Sequence, residues 1–152
     1  MRKLVIANRG AGQIGKSASI LAVYHLLKER GFKPILEEWQ YEYENGDIKA
    51  IFEINDVKVG IESQGDPGCE MEAAMEEFVE KGCEIIVAAC RTKSDTYEKV
   101  RTYLGVEKGY DVLWCAHYVY PREKADSTWR ILNKAYAEQV LELIQGRIAG
   151  VI

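Results

Sequence analysis

The sequence predicts an α/β fold with a mostly parallel sheet, helices on both faces and an antiparallel hairpin in the middle third. Short apolar runs alternate with segments of helical periodicity, and a glycine-rich turn joins the first strand to the first helix. Turn signals also bracket the strands of the middle third. With 152 residues, 47% of them hydrophobic, the chain is expected to form a single domain over residues 1–152 that buries its own core.

The N-terminal third begins with an apolar run at Leu4–Ala7, which predicts a buried strand. Apolar residues at helical spacing then predict a helix from Ser17 to Arg30 that stops at Gly31. A second strand is expected at Phe32–Trp39, with a more exposed extension at Tyr41–Glu44.

The middle third predicts a hairpin. Asn45-Gly46 is a strong turn signal, residues 48–54 and 57–61 have strand character, and Asn55-Asp56 offers a tight turn between them. Some of the strand pairing must therefore be antiparallel.

The second half alternates helices and strands. The predicted elements are a helix ending near Lys81 with Gly82 as its C-cap, a strand at 84–90, a short helix capped by Ser94 or Asp95 and ended by Gly105, a strand at 111–118, and a helix over 127–145 followed by Gly146.

The glycine-rich turn carries the strongest functional signal. Residues 10–17 read Gly-Ala-Gly-Gln-Ile-Gly-Lys-Ser and fit the phosphate-binding pattern G-x-x-x-x-G-K-[ST] between a strand and a helix. The glycines let backbone N–H groups point at phosphate oxygens, and the helix N-terminus adds positive potential. Lys16 would reach the β- and γ-phosphates, and the Ser17 hydroxyl would ligate Mg²⁺. The residues predicted to bind the nucleotide are Gly10, Gly12, Gln13, Ile14, Gly15, Lys16, Ser17 and Ala18.

Two other interpretations of this turn stay open. The same glycines fit G-x-G-x-x-G, the dinucleotide pattern, for which Glu37 or Glu38 could supply the ribose-binding acid. Lys16 and Ser17 have no role in such a site, so phosphate binding is favoured. A purely structural turn is the third interpretation.

The loop after the fourth strand is the next candidate, because ligands in such sheets lie beyond the carboxyl ends of the strands. Glu62 would hold Mg²⁺ through water, with Asp66 as the reserve candidate, and Gln64 would orient an attacking water. A surface turn rich in Gly and Pro is the alternative.

Two later loops also follow strands. Arg91 or Lys93 could neutralise phosphate charge, although a solvated basic loop with a helix cap explains them equally well. In the loop Tyr118–Lys124, an aromatic ring could stack on a base and Arg122 could contact phosphate. Tyrosines that cover the sheet edge are the favoured interpretation there.

Composition narrows the class of protein. The net charge of −4 argues against binding to nucleic acid. The four cysteines have no zinc-binding spacing, and Cys90 and Cys115 are predicted to be core residues in a reducing compartment. His25 and His117 are assigned to packing. No signal peptide or long apolar run is visible, so a cytoplasmic location without membrane association is expected.

These motifs resemble those of the P-loop NTPase superfamily, and locally those of small Ras-type GTPases. The hairpin is similar to theirs and leads to a loop where they carry D-x-x-G; here the four positions are Glu62-Ser63-Gln64-Gly65. Thr92-Lys93-Ser94-Asp95 matches the guanine-reading pattern [NT]-K-x-D, but in those GTPases it follows one strand later. Small P-loop kinases are similar in length and in this loop, although residues 119–126 are short for their arginine-rich lid.

The motif and the resemblance together predict a P-loop three-layer sandwich that binds a nucleoside triphosphate with Mg²⁺, ATP in preference to GTP, and hydrolyses it. The predicted catalytic residues are Lys16, Gln64 and Arg91, and the predicted metal-binding residues are Ser17, Glu62 and Asp66. A small-molecule or nucleotide kinase and a non-catalytic regulatory module are the alternatives. A second small-molecule or protein partner is left open.

Overall fold

The computed structural model describes residues 1–10, 16–39, 46–64, 70–118 and 126–152. The elements formed by these residues are β1 (Leu4–Arg9), α1 (Lys16–Glu29), β2 (Pro34–Trp39), β3 (Ile48–Ile54), β4 (Val57–Glu62), α2 (Met71–Glu80), β5 (Ile85–Cys90), α3 (Asp95–Glu98), a π-helix that continues α3 (Lys99–Glu107), β6 (Asp111–Cys115) and α4 (Asp126–Ile148). The predicted α/β class is confirmed. The predicted extension Tyr41–Glu44 lies outside the described residues.

The strands form one mixed sheet in the order β2-β3-β4-β5-β1-β6. The pairs β4–β5, β5–β1 and β1–β6 are parallel, and β3 runs antiparallel to both of its neighbours. The chain leaves β1 for the distant edge strand β2, while β5 and β6 come to lie on either side of β1. The carboxyl end of β1 is therefore a position where the strand order reverses, which is where open α/β sheets bind ligands.

Two apolar cores lie on the two faces of the sheet. One contains buried side chains of α1 and α4 and the inward residues Leu4, Ile6 and Val87 of the central strands. The other contains α2 and the π-helix against Val5, Ile86 and their neighbours. The sheet thus has helices on both faces, as expected.

The central strands are apolar because both of their faces are covered. Every residue of β5 is buried, and β1 is buried from Leu4 to Asn8. The sequences of such strands are continuous apolar runs and do not alternate between apolar and polar residues. The edge strand β2 is more exposed and alternates over its first four residues, as a half-covered strand should.

The hairpin prediction is confirmed, since β3 and β4 pair in antiparallel register from Lys49 with Glu62 to Ile54 with Val57. Asn55 and Asp56 both have positive φ, 49° and 65°. That is the conformation of a type I′ turn, which Asn and Asp adopt more readily than most residues.

Glycines follow the C-terminal ends of α2 and α4, but the predicted end of α4 is wrong. Gly82 has φ +80° just beyond α2, and the N–H of Cys83 bonds back to the Phe78 carbonyl, so α2 ends as predicted in a Schellman motif. Helix α4 instead continues through Gly146 to Ile148. Gly150, with φ +76°, ends α4 in the same way, because the N–H of Val151 bonds to the Gly146 carbonyl.

Two further predictions need correction. The short helix does not end at Gly105, because the helical segment continues as the π-helix to Glu107. Gly105 lies inside the π-helix and permits close packing on β6, since a β-carbon there would lie 3.1 Å from Val112 Cγ2. The last strand ends at Cys115 rather than Tyr118, because the ladder that it forms with β1 in the described part of the chain stops at the pair Asn8–Cys115.

Gly60 in β4 is a position where the fold requires a glycine. A β-carbon at Gly60 would lie 2.7 Å from the Phe78 ring of α2, which is itself fully buried. We expect Gly60→Ala to lower the free energy of unfolding by about 2 kcal/mol, because the overpacked ring and α2 must move. Urea unfolding measures this.

Gly146→Ala is the matched control, since a β-carbon in this helical position has no neighbour closer than 3.8 Å. We expect it to raise the free energy of unfolding by about 0.5–1 kcal/mol, because alanine favours helix. Equal effects of the two substitutions would contradict the close contact between Gly60 and Phe78.

Candidate functional site

The candidate site lies at the edge of the sheet where the parallel strands end. Gly10 follows β1 directly, and its N–H donates to the Cys90 carbonyl at the end of β5, 3.1 Å away. Helix α1 begins at Lys16, a few residues later. The two ends of the glycine-rich turn therefore lie beside the position where the strand order reverses.

Lys16 is a buried cation at this edge, with 5% of its surface exposed. Its ammonium donates to the Gly10 carbonyl at 2.8 Å and to the Cys90 carbonyl at 3.1 Å. The amino group thus spans the ends of β1 and β5. A positive charge held there attracts an anion to the N-terminus of α1.

A buried polar network fixes the first turn of α1 to β1. The Asn8 side-chain amide donates to Ser19 Oγ at 2.9 Å, and Ser19 donates to the Lys16 carbonyl at 2.8 Å. The Asn8 oxygen then accepts from His117 Nδ1 at 3.3 Å. This assigns the proton of His117 to Nδ1. His117 is 6% exposed and thus lies buried beside this network.

Ser17 is in contact with a carboxylate that the sequence analysis missed. Its hydroxyl donates to Asp47, which also accepts from the Ser63 hydroxyl at 2.8 Å. Ser63 in turn accepts from the N–H of Ile48, at the start of β3. Asp47 thus connects α1 to the β3–β4 hairpin. Its carboxylate group lies beside Ser17, the serine predicted to bind Mg²⁺.

Glu62 lines the same small cavity as Asp47, but among the described residues it takes no part in this hydrogen-bond network. It is paired in register with Lys49, whose ammonium contacts Glu77 of α2 at 3.0 Å. Glu62 is only 3% exposed. The structure therefore brings Asp47, and not Glu62, into direct contact with Ser17.

Burial changes the acidity of Glu62. Removal from water, together with the charges of Asp47 and Glu70, raises the pKa of this carboxyl from 4.5 to about 8. The hydrogen bond from the Gln64 N–H and the charge of Lys49 act in the opposite direction. Glu62 is therefore mostly protonated at neutral pH.

Gln64 connects this loop to α2. Its backbone N–H donates to Glu62 Oε1 at 3.0 Å, and its side-chain oxygen accepts from the N–H of Glu70, which precedes α2. The side chain is 7% exposed. It shares a small cavity with Asp47 and Glu62.

The loop after β5 contains Arg91, which is half-buried. Its backbone N–H donates to Thr96 Oγ1 at 3.0 Å, and Ser94 has φ 141° and forms no side-chain cap on α3. Ser94, one of the two predicted cap residues, therefore occupies the N-cap position of α3 without making the side-chain hydrogen bond of a cap. Since Arg91 follows the carbonyl that Lys16 contacts, its backbone lies at the same edge as the candidate site.

A cation–aromatic cluster beside the first strand was also missed. The Arg9 guanidinium lies 5.4 Å from the ring centroids of both Tyr97 and Trp114, and these rings stack 5.1 Å apart. It stabilises the contact of α3 with β1 and β6. Arg9 lies in β1, Tyr97 in α3 and Trp114 in β6, so the three residues are far apart in sequence and no local pattern could reveal the cluster.

Several predicted site residues lie outside the described residues. These are Gly12, Gln13, Ile14, Gly15 and Asp66, together with Arg122 and most of the loop Tyr118–Lys124. Ala18 is described and lies exposed on α1.

The cysteines that the structure describes do not supply a reactive thiol. Cys83, Cys90 and Cys115 are free, and burial raises the pKa of Cys90 to about 11. Burial also raises the pKa of Cys115. A thiol with a raised pKa is a poor nucleophile near neutral pH, so Cys90 and Cys115 serve as small core residues.

Within the described ranges, no group of three or more histidine, cysteine, aspartate or glutamate side chains is arranged to hold a metal ion. Ser17 and Asp47 provide a hydroxyl and a carboxylate, the hard oxygen donors that Mg²⁺ takes together with substrate phosphates. The described donors thus fit a metal that enters with a phosphate ligand.

Comparison with protein-family models, curated proteins and solved structures finds no match to this chain. None of the described helices is long and apolar enough to cross a membrane.

Proposed function

We propose that this chain is a P-loop protein that binds a nucleoside triphosphate with Mg²⁺ and hydrolyses it slowly. The triphosphate would lie at the N-terminus of α1, and the fold would be the three-layer sandwich of that class. ATP is preferred to GTP. A cytoplasmic location goes with this proposal.

The observation that carries the proposal is the position of Lys16. A lysine that is 5% exposed lies at the N-terminus of α1, and its ammonium donates to the carbonyls at the ends of β1 and β5. When a triphosphate binds, Lys16 would exchange these carbonyl oxygens for phosphate oxygens. The ammonium already lies beside Gly10, the residue where the phosphate-binding pattern begins, so it is close to the position that the phosphates would take.

Ser17 and Asp47 would hold Mg²⁺. The Ser17 hydroxyl and the Asp47 carboxylate are already in contact, and both are hard oxygen ligands. When bound, Mg²⁺ would neutralise charge on the β- and γ-phosphates. Ser63 would keep Asp47 oriented through its 2.8 Å hydrogen bond. Glu62 would act through Asp47 and would not bind Mg²⁺ beside Ser17.

Gln64 would hold the attacking water. Its oxygen is bound by the Glu70 N–H, which fixes the amide and leaves its –NH₂ group to donate. Arg91 would lie near the phosphates after β5 and offset charge that develops in the transition state. The chain therefore has a candidate for each role that slow hydrolysis needs.

The preference for ATP follows from the loop after β5. Thr92–Asp95 has the guanine-reading pattern, but Asp95 begins α3, and the Ser94 hydroxyl lies 3.1 Å from the Thr96 hydroxyl in the first turn of that helix. We infer that this segment serves to start α3 rather than to read a guanine.

Phosphoryl transfer to a second molecule is the other candidate reaction. A cavity of about 90 Å³ lies beside Asp47, lined also by Glu62 and Gln64. An acceptor bound there would approach the γ-phosphate from the side of the hairpin.

A turnover assay tests the proposal. Purified protein is incubated with ATP or GTP, with Mg²⁺ or with a chelator, and released phosphate is followed. We expect slow Mg²⁺-dependent release from ATP that exceeds release from GTP. Turnover only after a second small molecule is added would favour the transferase. Tight binding without turnover would overturn hydrolysis in favour of a regulatory role.

A further inference from the structure

The outer face of α4 carries its charges in a fixed order. Four exposed charged residues follow one another at intervals of one helical turn, with Arg130 and Lys134 in the N-terminal half and Glu138 and Glu142 in the C-terminal half. Residues at this spacing form a ridge on the surface of a helix, and two packed helices interlock through such ridges. One end of the α4 ridge is therefore basic and the other end is acidic.

Most of these charges have no partner within the described part of the chain, where Arg130, Lys134 and Glu142 form no ion pair. Glu138 has one contact, with Arg30 of α1 at 3.9 Å, and both side chains are about half exposed. An exposed pair at this distance contributes little to stability. The ridge can therefore pair with the charges of another molecule.

Apolar surface lies beside the basic half of the ridge. A mostly apolar groove of about 410 Å³ lies between α1 and α4, and it is lined by Leu21, Ala22 and Leu26 of α1 together with both basic residues of the ridge. Ile131, on the outer face of α4, is 69% exposed. An apolar centre with charged residues at its border is the composition of an interface between proteins.

The order of the charges selects what covers this face. A two-fold axis level with Tyr136 relates two antiparallel α4 helices. Arg130 of each copy then lies opposite Glu142 of the other, because both residues are equally far from Tyr136. Lys134 lies opposite Glu138 for the same reason.

This antiparallel arrangement satisfies the requirement of two-fold symmetry, which is that one surface must be complementary to itself. A parallel pair of α4 helices would instead bring like charges together, which is unfavourable. In the antiparallel pair, the acidic half of one α4 lies beside the basic border of the groove in the other copy.

We propose that a second copy of this chain covers the face formed by α1 and α4, so that the protein is a two-fold symmetric dimer. Ile131 and the groove form the apolar part of the interface, and the ridge of α4 forms its charged border. One helix pair and one groove make a small interface, so we expect a dissociation constant of about 1–100 µM. Neither the glycine-rich turn nor a nucleotide takes part in this contact, so it is independent of the proposed hydrolysis.

Sedimentation velocity of the full chain without nucleotide, over about 1–500 µM, measures this association. We expect monomer at the lowest concentration and dimer at the highest. Association should be weaker in about 0.5 M NaCl, because salt screens exposed charge pairs.

Charge reversal tests the arrangement of the two helices. The double variant Arg130→Glu, Lys134→Glu has an entirely acidic ridge. The double variant Glu138→Lys, Glu142→Lys has an entirely basic ridge. Each alone should stay monomeric where the wild type dimerises, whereas an equimolar mixture of the two should form a one-to-one heterodimer, because opposite charges then meet at every pair.

The controls separate this effect from a loss of folding. All four reversed positions are exposed, so circular dichroism is expected to match the wild type. Glu53→Lys, a reversal at an exposed position on β3, should dimerise as the wild type does.

Three outcomes would contradict the dimer. A wild-type chain that stays monomeric at the highest concentration would show that no second copy covers this face. Dimers of both double variants as strong as the wild-type dimer would place the contact elsewhere on the molecule. Failure of the two folded variants to pair with each other would exclude the antiparallel arrangement of α4.

Discussion

Glu62→Gln is expected to raise the free energy of unfolding by roughly 3–5 kcal/mol at pH 9 and by little at pH 4.5. Burial raises the pKa of Glu62 to about 8 in the folded chain, against 4.5 for an ordinary glutamate. Between these values the unfolded chain releases a proton that the folded chain keeps, so wild-type stability falls as the pH rises through this window. Above about pH 8 both states are ionised and the loss is complete.

Glutamine removes this loss because it is neutral at every pH. Its side-chain oxygen still accepts the hydrogen bond that the Gln64 N–H donates to Glu62 Oε1. Urea unfolding of the two proteins at pH 4.5, 7 and 9 measures the difference. Glu53→Gln, an exposed position on β3, is the control and should follow the wild type within about 0.5 kcal/mol. If the free energies of unfolding of wild type and Glu62→Gln changed in parallel with pH, the raised pKa of the buried Glu62 carboxyl would be contradicted.

Asp47→Asn is expected to abolish most of the Mg²⁺ dependence of triphosphate binding. Asparagine keeps an oxygen that can accept from Ser17 and Ser63, so the link between α1 and the hairpin remains. The carboxylate charge is lost, so the affinity for ATP in Mg²⁺ should fall by about tenfold to a hundredfold, as for loss of a metal-supporting group. Without Mg²⁺ the affinity should stay equal or rise, because a negative charge near the phosphates is gone.

A loss of ATP affinity in Mg²⁺ but not in its absence separates a metal-binding role of Asp47 from a role in folding. Asp56→Asn is a matched control, since Asp56 is exposed in the β3–β4 turn and asparagine tolerates its φ of 65°. Calorimetry with and without Mg²⁺ gives both affinities. An equal loss in both conditions would show that Asp47 holds the structure together and does not serve a metal.

The elements that the sequence predicted well are those whose neighbours in space are also neighbours in the chain. The bounds of β3 and the turn at Asn55-Asp56 follow from a run of strand-forming residues and from two residues that tolerate positive φ. The π-helix could not be predicted, because apolar spacing such as Val100 and Leu104 fits an α-helix as well. The prediction that the helix ends at Gly105 was wrong, because this glycine makes room for Val112 on β6. Such a contact between distant elements cannot be predicted from the local sequence.

The same distinction explains the site. Lys16 and Ser17 were found because the phosphate-binding pattern is local. Asp47 was not predicted, because the rule that ligands lie beyond the carboxyl ends of strands does not point to a residue that precedes β3. Since β3 runs antiparallel to its neighbours, its start lies at the edge where the parallel strands end. The predicted hairpin therefore implies that residues at the start of β3 belong to the same edge.

The measurement that tests the central claim most directly is calorimetric titration of wild type and Lys16→Ala with Mg·ATP, Mg·GTP and NADH. We expect wild type to bind Mg·ATP more tightly than Mg·GTP and not to bind NADH. Lys16→Ala should bind Mg·ATP at least tenfold more weakly, because the ammonium that contacts Gly10 and Cys90 no longer reaches the phosphates. Circular dichroism confirms that the variant is folded. Binding of NADH alone, or equal binding of Mg·ATP by a folded Lys16→Ala, would contradict a phosphate-binding loop.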